Sequence, residues 1–376
     1  VRVLVVNAGS SSIKLALLDD DDRVLARREI DAPHVQLNTV QLRAALSDGL
    51  QGADVIAHRV VHGGERFRSA IVFTAEVRDQ LQQLISLAPL HLPKALAALD
   101  QVAELVGELP TVLCFDTAFH ATLPAAAATY ALPASWRERW GLRRYGFHGL
   151  SHGWIARRAP ELLGREELLG RQPQGLRIVS AHLGAGASLC AIRDGASLDT
   201  TMGFTPLEGL VMATRSGSVD PGLILWLLER GSLRERDVTW ALEHDSGLLG
   251  LSGSADMREI IARRAAGDGA AALAFDVFVH HLRASVAAMA ASLGGIDVLA
   301  FTGGVGEHAT AVRAAAAESL AFLGVEIDPE LNEAAHHDTD ISSAQARVRT
   351  LVITAREDLE IAHQTRALLS QTQPAT

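Results

Sequence analysis

The chain opens on an uninterrupted apolar run from Val3 to Val6, turns through Gly9 to Ser12, runs apolar again and then meets a string of aspartates. That succession predicts strand, turn, strand, turn. A related pattern returns about half a chain later, where Ile178 to Ala181 lead into Gly184 and Gly186 and then into Leu189 to Ile192. Aligning Asn7 with His182 predicts an internal duplication, with the second turn one residue longer than the first. Further strands are expected at Val55 to Val61, Thr111 to Phe115 and Val298 to Thr302. Helices are expected at Val77 to Leu87, Ala270 to Leu293, Ala309 to Phe322 and Leu359 to Ser370. Gly303, Gly304 and Gly306 read as a turn, with a helix starting beyond Gly306. Strands alternating with helices in two halves imply an α/β protein with two sheets, and a cleft between the halves is the default ligand site.

Composition narrows the function. The chain has 376 residues, 48% of them hydrophobic and 21% charged, which fits a folded protein of two domains or one duplicated unit. With 44 acidic against 34 basic residues and a net charge of -10, no basic cluster can track a nucleic acid backbone. Cys114 and Cys190 both lie in apolar runs and read as reduced core thiols. No apolar stretch reaches the roughly 20 residues of a membrane helix, and the first residues enter a strand without a signal peptide pattern. A cytoplasmic location is expected.

The chemistry concentrates in a few segments. Lys14 follows the first Gly/Ser turn and is one of only two lysines, Lys94 being the other, in a chain that otherwise uses arginine. Arg59 sits near the end of a strand beside a glycine pair, placed to grip a carboxylate or phosphate. His91, Asp116, His120, His148 and His152 follow in close succession. The four-residue spacings His58/His62 and His148/His152 would suit zinc on a helix, but no HExxH occurs and glycines surround both pairs, so structural histidines near a cleft are expected instead. Arg215 lies in MGFTPLEGLVMATRSGSVDPG, and a second guanidinium aimed at the same cleft as Arg59 suits phosphoryl transfer, where negative charge must be neutralised.

NAGSSSIK, HRVVHGGE, DTAFH, RRYGFHGLSH, HLGAGAS, MGFTPLEGLVMATRSGSVDPG and FTGGVGE stand in the order seen in the acetate kinase family, and the chain is similar to that family from Val3 to its last helix. The resemblance implies two duplicated actin-like (ribonuclease H-like) α/β domains flanking a nucleotide cleft. These would be 1–120 with 359–376, binding the acyl substrate, and 121–358, binding the nucleotide. It implies Mg²⁺-dependent transfer of the ATP γ-phosphoryl group to acetate, giving acetyl phosphate and ADP, with Mn²⁺ as a substitute metal and a homodimer as the working form. Carried over residue by residue, Asn7 and Glu357 match the metal-associated positions, and Lys14 an ATP contact. Arg59 matches the substrate-carboxylate ligand and Asp116 the active-site carboxylate, understood as orienting a cationic group or metal-bound water. His148 and Arg215 match the transition-state stabilisers. Val61, Leu90, Phe147 and Pro206 match the acyl pocket. The nucleotide is expected against His182, Leu183, Gly184, Ala185 and Gly186, against Asp256, Met257 and Arg258, and against Gly304, Val305, Gly306, Glu307 and His308.

The chain departs from the family's pattern at Leu92, Leu150, Ala185, His308 and the segment Ala355 to Asp358, changes that bear on nucleotide affinity and donor preference more than on reaction class. Two other readings differ in testable ways. A propionate or butyrate kinase would differ only in pocket volume, and a non-catalytic ATP-binding member of the superfold would need no carboxylate clamp.

Overall fold

In a computed structural model the protein is described at residues 1–8, 12–31, 43–44, 50–87, 92–107, 109–169 and 175–372. The Gly9–Ser11 part of the first turn, Leu90 and His91 lie outside these residues.

The chain forms two compact units: Val1–Ala121 with Phe147–Trp154 and Arg356–Thr376, and Thr122–Gly146 with Ile155–Ala355. Phe147–Trp154 and residues 356–358, which the sequence division gave to the second half, cluster with the first unit.

The first unit is built on strands β1 (Val3–Ala8), β2 (Ser12–Leu18), β3 (Val24–Asp31), β4 (Val55–Val60), β5 (Ile71–Val72) and β6 (Thr111–Phe115), in the order β3-β2-β1-β4-β6-β5. β1, β4 and β6 run parallel, and the other neighbours are antiparallel. The sequence of β1 explains its central place. Leu4 and Val6 join a core with Ile13, Leu15, Ile56 and Val102, while Val3 and Val5 are equally buried. A strand covered on both faces reads as a continuous apolar run. The helix Glu357–Thr372 packs on β1, β4 and β6, with the Cys114 thiol facing the Ile361 carbonyl at 3.8 Å.

The second unit repeats this plan with β7 (Arg177–Leu183), β8 (Ala187–Arg193), β9 (Ala196–Thr200), β10 (Val298–Thr302), β11 (Thr339–Asp340) and β12 (Arg349–Val352). Its order, β11-β12-β10-β7-β8-β9, is that of the first sheet read from the other end, with β7, β10 and β12 parallel. The matching order shows the duplication. The turn lengths correct the sequence reading: the ladder closes at Ala8↔Ile13 in the first hairpin and at Leu183↔Ala187 in the second, so the second turn is one residue shorter.

Two helices also differ from expectation. The Val77 to Leu87 stretch divides into a helix Ala75–Gln83, capped by the Thr74 hydroxyl, and a short 3₁₀ turn Ile85–Leu87. The glycines after β10 are helical themselves: the helix Gly303–His308 leaves the strand directly, and a separate helix, Thr310–Ser319, follows. The long helix Gly269–Leu293 lies on β7, β8 and β9, with Asp268 accepting from the Ala270 and Ala271 N–H groups at its start. No helix among the described residues is long and apolar enough to cross a membrane.

Candidate active site

Three parallel neighbours end together, and this places the first cluster. The registers Val6↔His58 and Arg59↔Cys114 bring the carboxyl ends of β1, β4 and β6 level, so Asn7, Arg59 and Asp116 converge although far apart in sequence. Open α/β sheets place their ligands at such strand ends. The helix Glu357–Thr372, lying on the same strands, brings Glu357 in at its first residue.

Arg59 is the hub. Its Nε donates to both Asp116 oxygens at 3.0 and 3.2 Å, Nη2 donates to Asp116 Oδ2 at 2.6 Å, and Nη1 donates to Asn7 Oδ1 at 3.1 Å. Asn7 Nδ2 donates to Glu357 Oε2 at 2.8 Å, and that oxygen lies 3.9 Å from Arg59 Nη1. A guanidinium carries five N–H groups, and these contacts engage one on each nitrogen. Among the described residues this leaves one N–H on each terminal nitrogen, donors of the kind that bind a carboxylate or phosphate.

Burial disfavours charge on Arg59, but Asp116 and Glu357 beside it outweigh this and raise its pKa. Burial likewise lifts the Asp116 carboxyl; Arg59 pulls it back and Glu357 raises it. Asp116 is 1% exposed, and its carboxylate is bound to the Arg59 guanidinium.

His148 stands beside this cluster with φ 55°, an uncommon backbone state for a residue other than glycine and one that concentrates at functional sites. The following Gly149 makes it reachable. Its N–H donates to the Asp116 carbonyl at 2.9 Å, and a Cβ at Gly149 would run into that same oxygen. Phe147 is buried; its carbonyl lies 3.0 Å from His120 Nε2 and its ring meets His62 edge-on at 5.4 Å. Val61, one residue beyond β4, is half-buried. Lys14 is exposed on β2 opposite Asn7, 3.9 Å from Glu29.

The histidine spacing is resolved by the strand. His58 lies on β4 and His62 beyond it, so the four-residue interval does not place both on a helix face. His62 Nδ1 accepts the Gly64 N–H at 2.9 Å. Burial lowers His58 to about 3 and His62 to about 4 from the usual 6.5. Both folded values lie below the unfolded one, so the unfolded chain takes up protons that the folded chain refuses. Stability should be fully present above pH 6.5 and fall as the pH drops towards 4. Denaturant midpoints measured across that range check this, and a flat profile would contradict it.

In the second unit the equivalent strand ends carry the glycine segments. His182 and Leu183 close β7, the Gly184 N–H donates to the Gly186 carbonyl at 2.9 Å, and the Ala185 carbonyl accepts from Ala213 at 3.1 Å. After β10, Gly304 and His308 are exposed, Val305 is half-buried and Gly306 is buried. Glu307 points inward: one carboxylate oxygen accepts from both the Gly303 and Ala355 N–H groups, each at 3.0 Å. Asp256 caps the helix Met257–Ala265 and holds Arg258 through a 2.6 Å ion pair, while Met257 is buried. Arg215 donates to the Pro206 carbonyl at 2.7 Å, and burial lowers its pKa against the pull of Glu243. Asp220, at the far end of that loop, is the N-cap of the helix Pro221–Glu229.

A model of the Acetokinase family matches residues 28–363. The chain belongs to the acetokinase family. The acetate kinase of Trichormus variabilis is 42% identical over 412 aligned residues, covering 99% of this chain and 100% of that protein. Among solved structures, the acetate kinase of Porphyromonas gingivalis matches with a TM-score of 0.86 at 35% identity, over 98% of this chain and 99% of that one. A propionate kinase from Francisella tularensis matches with a TM-score of 0.87 at 34% identity, over 96% and 98%. The two repeated sheets are thus the duplicated actin-like α/β units of the acetokinase fold.

Members of this family imply a nucleotide and a divalent metal, and the first cluster fits a hard cation. Glu357 and Asn7 offer a carboxylate and an amide oxygen, and Mg²⁺ takes one or two such groups beside substrate phosphates and water. The sequence reading missed one group in the second unit. Tyr130, Arg144 and Glu208 interlock around the start of the Arg215 loop, and the signal was a glutamate set in an otherwise apolar loop sequence.

Proposed function

We propose that the protein transfers the γ-phosphoryl group of ATP to acetate, reversibly, forming acetyl phosphate and ADP. The observation that carries this reading is Arg59, held by Asp116 and Asn7 with two N–H groups left for an anion, in a chain of the acetokinase family. Acetate has a pKa of roughly 4–5 and is ionised at neutral pH, so no general base is needed. The barrier is the approach of two anions, and positioning with charge neutralisation lowers it.

In this reading Arg59 binds the acid's carboxylate, and Asp116 fixes the guanidinium plane. Val61, Phe147 and Pro206, with Leu90, bound the methyl group. Asn7 and Glu357 hold the metal, which when bound neutralises phosphate oxygens. His148 and Arg215 stabilise charge on the phosphoryl group in transit, and Lys14 contacts the phosphates. The nucleotide rests on the two glycine segments and on Asp256 and Arg258, which must part from each other to reach it. We place the reaction in the cytoplasm, with Cys114 and Cys190 reduced and buried.

We also propose a homodimer. Trp136, Trp140, Leu223, Leu225, Trp226 and Trp240 are each about half exposed, and large exposed apolar groups of this kind mark protein interfaces.

The test is acetyl-phosphate formation with acetate, propionate and butyrate, with and without Mg²⁺. Turnover should require Mg²⁺ and be best with acetate. Propionate should be poorer by a factor on the order of 10–100, since one methylene contributes about 1–3 kcal/mol. A reversed order would make it a propionate kinase, and no acyl phosphate with any acid would overturn the reading.

A further inference from the structure

The loop carrying Pro206 and Arg215 is gripped at its start by three side chains outside the set described above. Arg144 Nη1 donates to three successive carbonyls, Thr200, Thr201 and Met202, at 3.2, 3.1 and 3.0 Å. Its Nη2 donates to Glu208 Oε1 at 2.8 Å. The other carboxylate oxygen, Oε2, accepts the Tyr130 hydroxyl at 2.5 Å, and that hydroxyl in turn accepts the Phe204 N–H at 2.9 Å. The Arg144 guanidinium also lies 5.6 Å from the Tyr130 ring centre. Gly203 lets these groups meet, because a Cβ there would run into both Glu208 Oε2 and the Tyr130 hydroxyl.

The grip surrounds one atom that matters. Phe204 and Glu208 are both fixed, and Pro206 lies midway between them, its carbonyl accepting from Arg215 Nη1 at 2.7 Å. The far side of the loop is pinned separately, by Gly209 N–H to Ser218 Oγ at 3.1 Å and Ser218 N–H to the Gly209 carbonyl at 3.0 Å. Among the described residues no carboxylate lies within ion-pair distance of Arg215, and the Pro206 carbonyl is the contact that sets its head-group direction.

We propose that Tyr130, Arg144 and Glu208 are positioning residues that hold the Pro206 carbonyl, and through it the Arg215 guanidinium, in its working orientation. This rests on the reading of Arg215 given above. The clamp lies wholly in one unit and touches neither the acid ligand Arg59 nor the metal residues. The bonds of its three side chains go to one another, to Thr200–Met202 and to Phe204, and to none of the residues read as nucleotide contacts, so its loss is expected in turnover more than in nucleotide affinity.

The test is a double-mutant cycle. Tyr130→Phe removes the hydroxyl while keeping the ring, and Glu208→Gln keeps shape and an acceptor oxygen, so one variant serves if the other fails to fold. Each should lower kcat by roughly 10–100-fold with the ADP dissociation constant, measured by calorimetry, unchanged. In an Arg215→Lys background, which lacks the planar fork, the same substitution should lower kcat by less than about threefold, because interacting positions are not additive. Hydrogen exchange over residues 204–218 should quicken in Tyr130→Phe and reports the clamp without any catalysis. Equal loss of kcat in both backgrounds, or unchanged kcat and exchange in both variants, overturns the proposal. If the unaltered protein forms no acetyl phosphate, the functional reading fails instead, and the exchange experiment still decides whether the clamp orders the loop.

Discussion

Arg59→Ala is expected to lower acetyl-phosphate formation by on the order of a thousandfold and to destabilise the fold at the same time. The catalytic part follows from losing the donors that meet the anion, since removal of one such group costs about 10²–10³ in rate. The structural part follows from Asp116. Its carboxylate is 1% exposed and loses all three of its guanidinium contacts together. Removing one partner of a buried ion pair costs about 3–5 kcal/mol, because the other charge is left in a poor medium. Adding Asp116→Asn to the Arg59→Ala protein should recover much of that stability and none of the activity. Denaturant unfolding of the three proteins tests this. An Arg59→Ala protein as stable as the unaltered one would show that Asp116 does not depend on the guanidinium.

Arg215→Ala should separate the two effects. This side chain donates to a backbone carbonyl, and burial already works against its charge, so deleting it strands no opposite charge. Stability should change by no more than about 1 kcal/mol, while kcat falls by roughly 10³, the scale of an arginine that acts on a transferring phosphoryl group. Unfolding midpoints with single-turnover rates decide the matter, and a large fall in stability with preserved turnover would reverse the assignment. The two arginines are chemically alike, and only their surroundings make one a structural hub.

Most of the sheet strands were legible because burial on both faces writes continuous apolar runs, as in β1 and β10. The cap at Asp220 went unread: the sequence reading kept Asp220 and Pro221 within the Arg215 loop, whereas Asp220 caps the helix that starts at Pro221. The helix Gly303–His308 was not legible either. Glycine is a poor helix former, and here a tertiary contact overrides it, the Glu307 carboxylate binding Gly303 and Ala355 at once. The hairpin turns were miscounted because glycine and serine mark a turn without fixing where the ladder closes. In the first cluster, the residue types at Asn7, Arg59, Asp116 and Glu357 could be read from motifs. Their convergence could not, because it depends on which strands are neighbours. Tyr130, Arg144 and Glu208 escaped for a related reason: each sits in a different segment, and only the folded loop makes them one group.

The first unit is discontinuous, and synthesis runs in one direction. Asn7, Arg59 and Asp116 leave the ribosome long before Glu357 and the helix that covers β1, β4 and β6. Until that helix arrives, one face of the central strands is bare, and the Asn7 amide lacks its carboxylate acceptor. The second unit, apart from the short stretch 147–154, is made without such an interruption from residue 122 to residue 355. A chain cut after residue 355 therefore holds every residue of the second unit beside a first unit that lacks Glu357 and the helix covering its central strands.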